Sequence, residues 1–143
     1  MNRTQILSAK QIQQKLNRIA WQIFESNYQE SIIIIAGISG NGFVIAQRLA
    51  SIIKEISDID VLLTEIMINK NEPFNSPIEL NIEEKDYNGK VVILADDVIN
   101  SGKTMIYGVK HFLKVPVKKI NTTALIDRKH LRFPIRTDYA GLV

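Results

Sequence analysis

The sequence predicts an α/β fold with a mostly parallel central sheet flanked by helices. Its most apolar runs, over residues 31–36 and 90–95, are continuous and rich in β-branched residues, which is typical of strands buried on both faces. Segments with helical spacing alternate with these runs through short connections, as βαβ units require. The 143 residues contain no linker or internal repeat, so we expect a single domain over 1–143.

The elements can be predicted in order along the chain. Ser8 precedes apolar residues that recur at helical spacing, which indicates an N-cap and a first helix over 9–26. A stretch rich in Asn, Pro and Ser, residues 69–80, predicts an exposed loop. The other predicted helices cover 43–56 and 103–113, and the predicted strands cover 31–36, 60–68, 90–95, 118–126 and 139–143.

Composition narrows the classes of protein. The chain has no cysteine, which excludes a disulfide framework and a thiolate metal site. The apolar run 32–38 is too short to span a bilayer, and residues 1–16 lack the apolar core of a signal peptide. We therefore expect a cytoplasmic protein with no membrane partner.

The net charge of +3 is unevenly distributed. Residues 1–102 carry nine basic and thirteen acidic side chains, whereas residues 103–143 carry nine basic and two acidic ones. This asymmetry favours an anionic partner for the C-terminal part, either substrate phosphates or a nucleic acid. A solvated, lysine-rich helix face is the alternative.

The segment 91–104 is the most informative part of the sequence. Asp96 and Asp97 follow a buried strand, and a short polar turn then leads into a helix. Such a turn can direct backbone N–H groups and the hydroxyls of Ser101 and Thr104 at one point, while Gly102 lets the backbone approach closely and the helix N-terminus adds partial positive charge. This predicts a site for a phosphate monoester, with two carboxylates placed for sugar hydroxyls or Mg²⁺. A capped turn with two solvated acids is the alternative, and it is disfavoured because acids directly after a buried strand are costly unless something binds them.

A P-loop is excluded at the same position. The residues Gly102, Lys103 and Thr104 match the end of the GxxxxGK[ST] pattern, but its first glycine would have to stand at position 97, which is Asp97.

The residues ILADDVINSGKT (93–104) resemble the signature of type I phosphoribosyltransferases that binds 5-phosphoribosyl diphosphate (PRPP). The resemblance implies that family's fold, with a short hood loop over residues 69–80, although a plain surface loop is an equal alternative there. It also implies that Asp96 and Asp97 are the catalytic pair, which holds the ribose hydroxyls and the associated Mg²⁺. The residues implied to bind the 5-phosphate are Val98, Ile99, Asn100, Ser101, Gly102, Lys103 and Thr104, which we call the phosphate turn.

A narrower resemblance covers segments 18–27, 36–50 and 127–141. They are similar to the branch of the family in which a uracil phosphoribosyltransferase also binds messenger RNA as the attenuator of a pyrimidine operon. This implies a pyrimidine substrate and a dimer or tetramer. Asn100 agrees with a pyrimidine, because purine-using relatives have an aspartate there and an amide cannot serve as a general base. Such relatives continue beyond the position of Val143, so we expect part of the base site to be missing.

The glycine-rich segment 37–42 follows a buried strand and opens a helix. A dinucleotide-binding fingerprint would need a third glycine where Ile45 stands. The resemblance instead implies the pyrophosphate loop, with contacts from Ser39, Gly40 and Asn41. Related proteins typically have Thr-Arg at positions 40 and 41, and loss of that arginine predicts slower turnover rather than loss of PRPP binding.

The resemblance places the base site near the C-terminus. It implies that Tyr139 stacks on the nucleobase and that the backbone of Ala140 reads the base edge. Asp127 and Arg128 are further candidates for edge contacts. A core tyrosine is the alternative for Tyr139.

The leading interpretation is an enzyme that transfers ribose 5-phosphate from PRPP to a pyrimidine, expected to be uracil. Two alternatives remain open: a nucleotide-sensing regulator that binds RNA, and a PRPP-binding or nucleotide-binding protein with little turnover. An RNA surface would use basic side chains arranged on one face. The candidates are Lys110, Lys114, Lys118, Lys119, Arg128, Lys129 and Arg132, together with Lys15 and Arg18.

Overall fold

The structure is a computed structural model that describes residues 7–143, and within them six strands form one sheet. The strands are β1 (Ile32–Ile38), β2 (Asp60–Met67), β3 (Glu79–Leu80), β4 (Val91–Ile99), β5 (Lys119–Asp127) and β6 (Tyr139–Leu142). The helices are α1 (Ala9–Asn27), α2 (Asn41–Ile56), α3 (Glu84–Tyr87) and α4 (Lys103–Phe112).

The strand order is β3-β2-β1-β4-β5-β6, and only the short β3 pairs antiparallel with its neighbour. The chain therefore builds outward from β1 in one direction and from β4 in the other. The order reverses between the neighbouring strands β1 and β4. The connections that follow these two strands lead to opposite faces of the sheet, which opens a crevice at their carboxyl ends. The predicted mostly parallel α/β fold is confirmed.

Two apolar clusters cover the two faces of the sheet. One joins β1 and β4 to α1 and α2 and includes Leu16, Ile19 and Leu49; each of these side chains is fully buried. The other joins the opposite face to α3 and α4, where the rings of Tyr87 and Phe112 meet edge to face at 5.0 Å. Burial on both faces explains why β1 and β4 have continuous apolar sequences.

The start of α1 agrees with its sequence signal. Ser8 Oγ accepts a hydrogen bond from the backbone N–H of Gln11 at 3.1 Å, and Gln11 Oε1 accepts one from the N–H of Ser8 at 2.8 Å. This reciprocal capping box confirms Ser8 as the N-cap and sets the direction in which α1 crosses the sheet.

Two parts of the chain depart from the predicted elements. Strand β4 continues to Ile99 instead of ending at residue 95, so the acidic pair lies within the strand and not after it. Pairing with β5 extends through these residues, and acidic side chains give no strand signal in the sequence. The elements β3 and α3 were not predicted, because two to four residues are too few to show a period. Over residues 7–143, no helix has the length and apolar character needed to cross a membrane.

Candidate active site

A cleft of about 220 Å³ opens at the carboxyl end of β4. Asp96 and the first turn of α4 both line it. All seven residues of the phosphate turn line this cleft, together with Lys70, Asp96 and Met105. The structure therefore brings one member of the predicted acidic pair and the whole predicted phosphate turn to a single space.

The phosphate turn has a glycine-dependent backbone. Gly102 is the N-cap of α4 and has a left-handed conformation with φ of 84°. A β-carbon there would also collide with Cγ2 of Ile135 and stand 3.2 Å from Cδ2 of Leu131. No side chain caps the start of α4, whose first residues Lys103 and Thr104 line the cleft, and the N–H of Lys103 donates to Ser101 Oγ at 3.2 Å.

The loop after β5 holds the phosphate turn in place. The carbonyl oxygen of Ser101 accepts hydrogen bonds from the backbone N–H groups of Arg132 at 2.9 Å and Phe133 at 3.3 Å. The carbonyl oxygen of Ile99 accepts another from the N–H of Arg128 at 2.9 Å. The segment 128–135 therefore supports the turn from behind, a role that the sequence analysis did not assign to it.

The pKa values of the two carboxyl groups are shifted in opposite directions. Asp96 is only 4% exposed, and burial together with a hydrogen bond to the Asp97 side chain raises its pKa to about 7, against the lowering effect of Lys70. Burial also acts to raise the pKa of Asp97, but hydrogen bonds from the Asp96 side chain and from backbone N–H groups, with the charge of Lys70, lower it overall. The two groups therefore titrate as a coupled pair, in which the pKa of Asp96 lies well above that of Asp97.

Lys70 also lines the cleft, although no local sequence pattern indicated it. Its Nζ lies 3.8 Å from Asp96 Oδ1, and its side chain is half exposed and lines the cleft. The preceding residue, Asn69, organises the loop: its Oδ1 accepts from the N–H groups of Asn71 at 3.0 Å and Glu72 at 3.1 Å, and its Nδ2 donates to Ser76 Oγ at 3.3 Å. The sequence showed a lysine in a polar loop but carried no signal that the loop turns toward β4.

The predicted pyrophosphate loop lies beside this cleft, although its residues do not line it. Gly40 is the N-cap of α2 with φ of 89°, and the N–H of Ser39 donates to the carbonyl of Ile66 at 3.0 Å. The neighbouring Gly42 packs against β4, where an added β-carbon would stand 2.9 Å from Asp96 Oδ1. Loops 39–41 and 100–104 thus follow adjacent strands, β1 and β4, and the role of loop 39–41 in binding pyrophosphate stays a prediction.

The structure places Tyr139 in the core. Its side chain is 8% exposed, belongs to the apolar cluster on the α1 side, and donates from its hydroxyl to Asn121 Oδ1 at 3.4 Å. Tyr139 pairs with Thr123, well before the carboxyl end of β5. The expectation that this ring stacks on a base is therefore corrected in favour of a core tyrosine, since the ring presents no free face.

The other base-site candidates divide between two places. The carbonyl oxygen of Ala140 accepts from Arg18 Nη2 at 2.8 Å on the α1 side, away from the cleft. Asp127 and Arg128 do lie at the carboxyl end of β5, next to Ile99. Asp127 is buried and accepts from the N–H of Lys129 at 2.9 Å, whereas the Arg128 side chain is exposed.

The predicted basic surface is not one surface. Lys118 and Lys119 lie at the amino end of β5, where Lys118 pairs with Glu30 at 2.6 Å. Arg128 and Arg132 follow the carboxyl end of the same strand. A nine-residue strand is about 30 Å long, so these two groups of basic residues lie at opposite ends of β5.

The carboxylates alone cannot enclose a metal ion. In the part of the chain that the structure describes, no group of three or more His, Asp or Glu side chains could hold one. Asp96 and Asp97 together offer two carboxylates with hard oxygen donors, which suits Mg²⁺ when substrate oxygens and water complete its shell. The residues therefore fit a magnesium ion shared with a ligand, and they do not fit a resident ion held by protein alone.

Comparisons with known proteins agree on the family. The sequence matches the phosphoribosyl transferase domain family over residues 2–143. It is 34% identical to the bifunctional protein pyrR of Enterococcus faecalis, over 99% of this chain and 83% of that protein, and 36% identical to the bifunctional protein PyrR of Clostridium acetobutylicum, over 97% and 82%. Among solved structures, a hypoxanthine-guanine phosphoribosyltransferase from Bacillus anthracis is similar, with a TM-score of 0.80 and 26% identity over 99% of this chain and 82% of that one.

Proposed function

This chain belongs to the phosphoribosyltransferase family, and on that premise we propose that it transfers ribose 5-phosphate from PRPP to a pyrimidine base, with uracil as the expected acceptor. The reaction releases pyrophosphate. The observation that carries the proposal is the cleft in which Asp96 faces the phosphate turn. A sugar that carries a phosphate matches a cleft in which a carboxyl group, that of Asp96, accompanies an anion site.

In the proposed complex the phosphate turn binds the 5-phosphate. The open N-terminus of α4 supplies N–H groups and partial positive charge, and Ser101 and Thr104 supply hydroxyls. The ring of the sugar then extends toward β4, where the carboxylates accept hydrogen bonds from the ribose hydroxyls. Loop 39–41 lies at the next strand end and faces the pyrophosphate.

The chemistry is a displacement at C1 of the ribose. The bond from C1 to the pyrophosphate oxygen breaks with its electron pair leaving on that oxygen, a bond forms between C1 and a ring nitrogen of the base, and that nitrogen loses its proton to solvent. Ionised Asp97 favours the positive charge that develops on the sugar, and it does so without forming a covalent intermediate. Mg²⁺, held by Asp96, Asp97 and PRPP, would neutralise charge on the diphosphate.

A pyrimidine acceptor is supported by Asn100. Its side chain is exposed at the mouth of the cleft, and an amide cannot remove the proton of a purine imidazole nitrogen as a carboxylate could. Asp127 and Arg128, at the neighbouring strand end, are the remaining candidates for reading the base edge. Tyr139 and Ala140 are not proposed as base contacts, because Tyr139 lies in the core and the carbonyl of Ala140 accepts from Arg18 on the α1 side.

The test is pyrophosphate release from PRPP with Mg²⁺ and a panel of bases that includes uracil, cytosine, hypoxanthine and guanine. We expect release with uracil and its loss in Asp97→Asn. Release with hypoxanthine or guanine alone would replace the pyrimidine proposal with a purine one. Binding of PRPP without release for any base would overturn the transferase proposal and leave a PRPP-binding protein.

A second function, binding of RNA, is supported by the segment after β5. Arg128, Lys129, His130 and Arg132 are all exposed and lie close together in sequence, with Lys129 in a left-handed turn at φ of 56°. The name of the bifunctional relatives indicates that they have two functions. The affinity for a pyrimidine-operon leader transcript should fall steeply as the salt concentration rises. At a fixed salt concentration, Arg132→Gln should have a lower affinity than the unsubstituted protein. Equal binding by Lys118→Gln and Arg132→Gln would contradict a site at this segment.

A further inference from the structure

We infer that Lys70, and not a residue of loop 39–41, supplies the positive charge that binds the pyrophosphate leaving group. The inference rests on the proposed function, because it assigns a role within that reaction. Loop 39–41 carries no positive charge, because Ser39, Gly40 and Asn41 are all uncharged. The proposed reaction nevertheless requires a leaving group with several negative charges to be bound there.

The position of Lys70 follows from the strand order. Lys70 comes after β2, while its contact Asp96 is in β4, and β1 lies between these two strands. Neighbouring strands are about 4.8 Å apart, so the lysine side chain has to cross the carboxyl end of β1 to come within 3.8 Å of Asp96. The carboxyl end of β1 is where loop 39–41 begins. Asp96 Oδ1, the partner of Lys70 Nζ, also lies 2.9 Å from where a β-carbon of Gly42 would stand, so the ammonium group of Lys70 lies near the end of the loop that lacks a charge of its own.

Two cations from different segments of the chain line the cleft. Of the residues that line it, Lys70 and Lys103 are the positively charged ones. Lys103 is the first residue of α4 and belongs to the phosphate turn, at the end assigned to the 5-phosphate. Lys70 comes from a different segment and lies beside Asp96, so the proposed binding mode gives each phosphate-bearing end of the ligand one lysine.

The contact with Asp96 leaves Lys70 free to change partner. At 3.8 Å it is longer than a hydrogen bond, and the lysine side chain remains 49% exposed. The start of the side chain is nevertheless fixed, because Asn69 makes hydrogen bonds to Asn71, Glu72 and Ser76. The ammonium group can thus move from Asp96 to a phosphate oxygen while its backbone stays in place.

The expected contribution is larger in the transition state than in the bound substrate. When the C1–O bond breaks, its electron pair adds negative charge to the departing oxygen, and a nearby ammonium group stabilises that charge without transferring a proton. An interaction that strengthens as the reaction proceeds raises kcat more than it lowers KM.

The experiment compares Lys70→Gln, Lys70→Arg and a matched control, Lys85→Gln, by calorimetric binding of inorganic pyrophosphate and of ribose 5-phosphate with Mg²⁺, and by steady-state kinetics. Lys85 is a suitable control because its side chain is 76% exposed and does not line the cleft. We expect Lys70→Gln to weaken pyrophosphate binding by roughly tenfold to a hundredfold and to lower kcat, while ribose 5-phosphate binds as before. Lys70→Arg should keep most of both properties, and Lys85→Gln should behave as the unsubstituted protein.

Two outcomes would overturn the assignment. One is unchanged pyrophosphate affinity in Lys70→Gln, and the other is an equal loss of pyrophosphate and ribose 5-phosphate binding, which would indicate a general disturbance of the cleft. In either case, turnover by the unsubstituted protein would leave the proposed function intact. If the unsubstituted protein binds neither PRPP nor pyrophosphate, the proposed function and the role of Lys70 both fail.

Discussion

Gly42, at the start of α2, lies directly against Asp96 of β4. A β-carbon at position 42 would stand 2.9 Å from Asp96 Oδ1 and 3.1 Å from the carbonyl oxygen of Ala95, both closer than ordinary contacts. The connection after β1 therefore limits where the buried carboxyl group can lie. The start of α2, directly after loop 39–41, and Asp96 are therefore parts of one packed unit.

Substitution of Gly42 should accordingly disturb the acidic pair. We expect Gly42→Ala to lower the free energy of unfolding by about 1–3 kcal/mol, as overpacking does, and to weaken PRPP binding because Asp96 has to shift. Urea unfolding and calorimetric titration with PRPP measure the two effects. Val44→Ala is the control, since Val44 is in the same helix and 48% exposed. Normal PRPP affinity in Gly42→Ala would show that the position of Asp96 does not matter for the ligand.

Gly102 offers a test of how the phosphate turn is packed. Gly102→Ala combines a left-handed backbone with a collision against Ile135, whereas Gly89→Ala has a similar φ of 73° and open space around it. Both variants should lose about 1 kcal/mol from backbone strain, and Gly102→Ala should lose a further ~1–3 kcal/mol from overpacking. Urea unfolding curves of the two variants give this difference. Similar losses in both would mean that Ile135 moves aside without cost.

The buried carboxyl group should make stability depend on pH. The pKa of Asp96 is raised by burial from 3.8 to about 7, so between these values the folded state holds a proton that the unfolded chain has lost. The contribution is full below pH 3.8 and is lost as pH rises to about 7, with a size on the order of a few kcal/mol. Unfolding curves without Mg²⁺ should show that stability falls less over this range in Asp96→Asn than in the unsubstituted protein. The difference between the two proteins isolates the coupled pair of Asp96 and Asp97, because the other titrating groups are common to both, and parallel curves would show that folding does not raise the pKa of Asp96.

Tyr139 should affect stability and not base affinity. We expect Tyr139→Leu to lower the free energy of unfolding by about 1–3 kcal/mol, because the buried ring and its hydrogen bond to Asn121 are lost. The KM for the base should stay within twofold of the unsubstituted value. Tyr28→Leu is the control, since the Tyr28 side chain is 64% exposed. A large rise in the KM for the base with little loss of stability would restore the stacking role.

The parts of the site that could be predicted from the sequence depend on neighbours in the chain. Asp96, Gly102 and Thr104 are within one strand, turn and helix, so their spacing alone indicated an anion site. The order of alternating strands and helices likewise predicted the mostly parallel sheet.

The remaining parts depend on contacts between segments far apart in the chain. Lys70 meets Asp96 only because β2 and β4 flank β1, and Arg132 meets Ser101 only because the loop after β5 folds back. The sequence did not indicate the position of the Tyr139 side chain for a related reason. This side chain could have pointed toward either face of β6, and packing against α1 decided between them. Local patterns do not contain this information.

The hydrogen bonds that join Ile99 and Ser101 to the segment after β5 have a consequence for ligand affinity. They fix the turn before any phosphate arrives, so the conformational entropy of ordering it is lost during folding and not during binding. In the proposed complex, affinity for the 5-phosphate then depends on Arg128, Arg132 and Phe133 through their main-chain N–H groups, although none of them lines the cleft. Relatives with identical phosphate-contacting residues could therefore differ in affinity solely through the preorganisation that a distant loop provides.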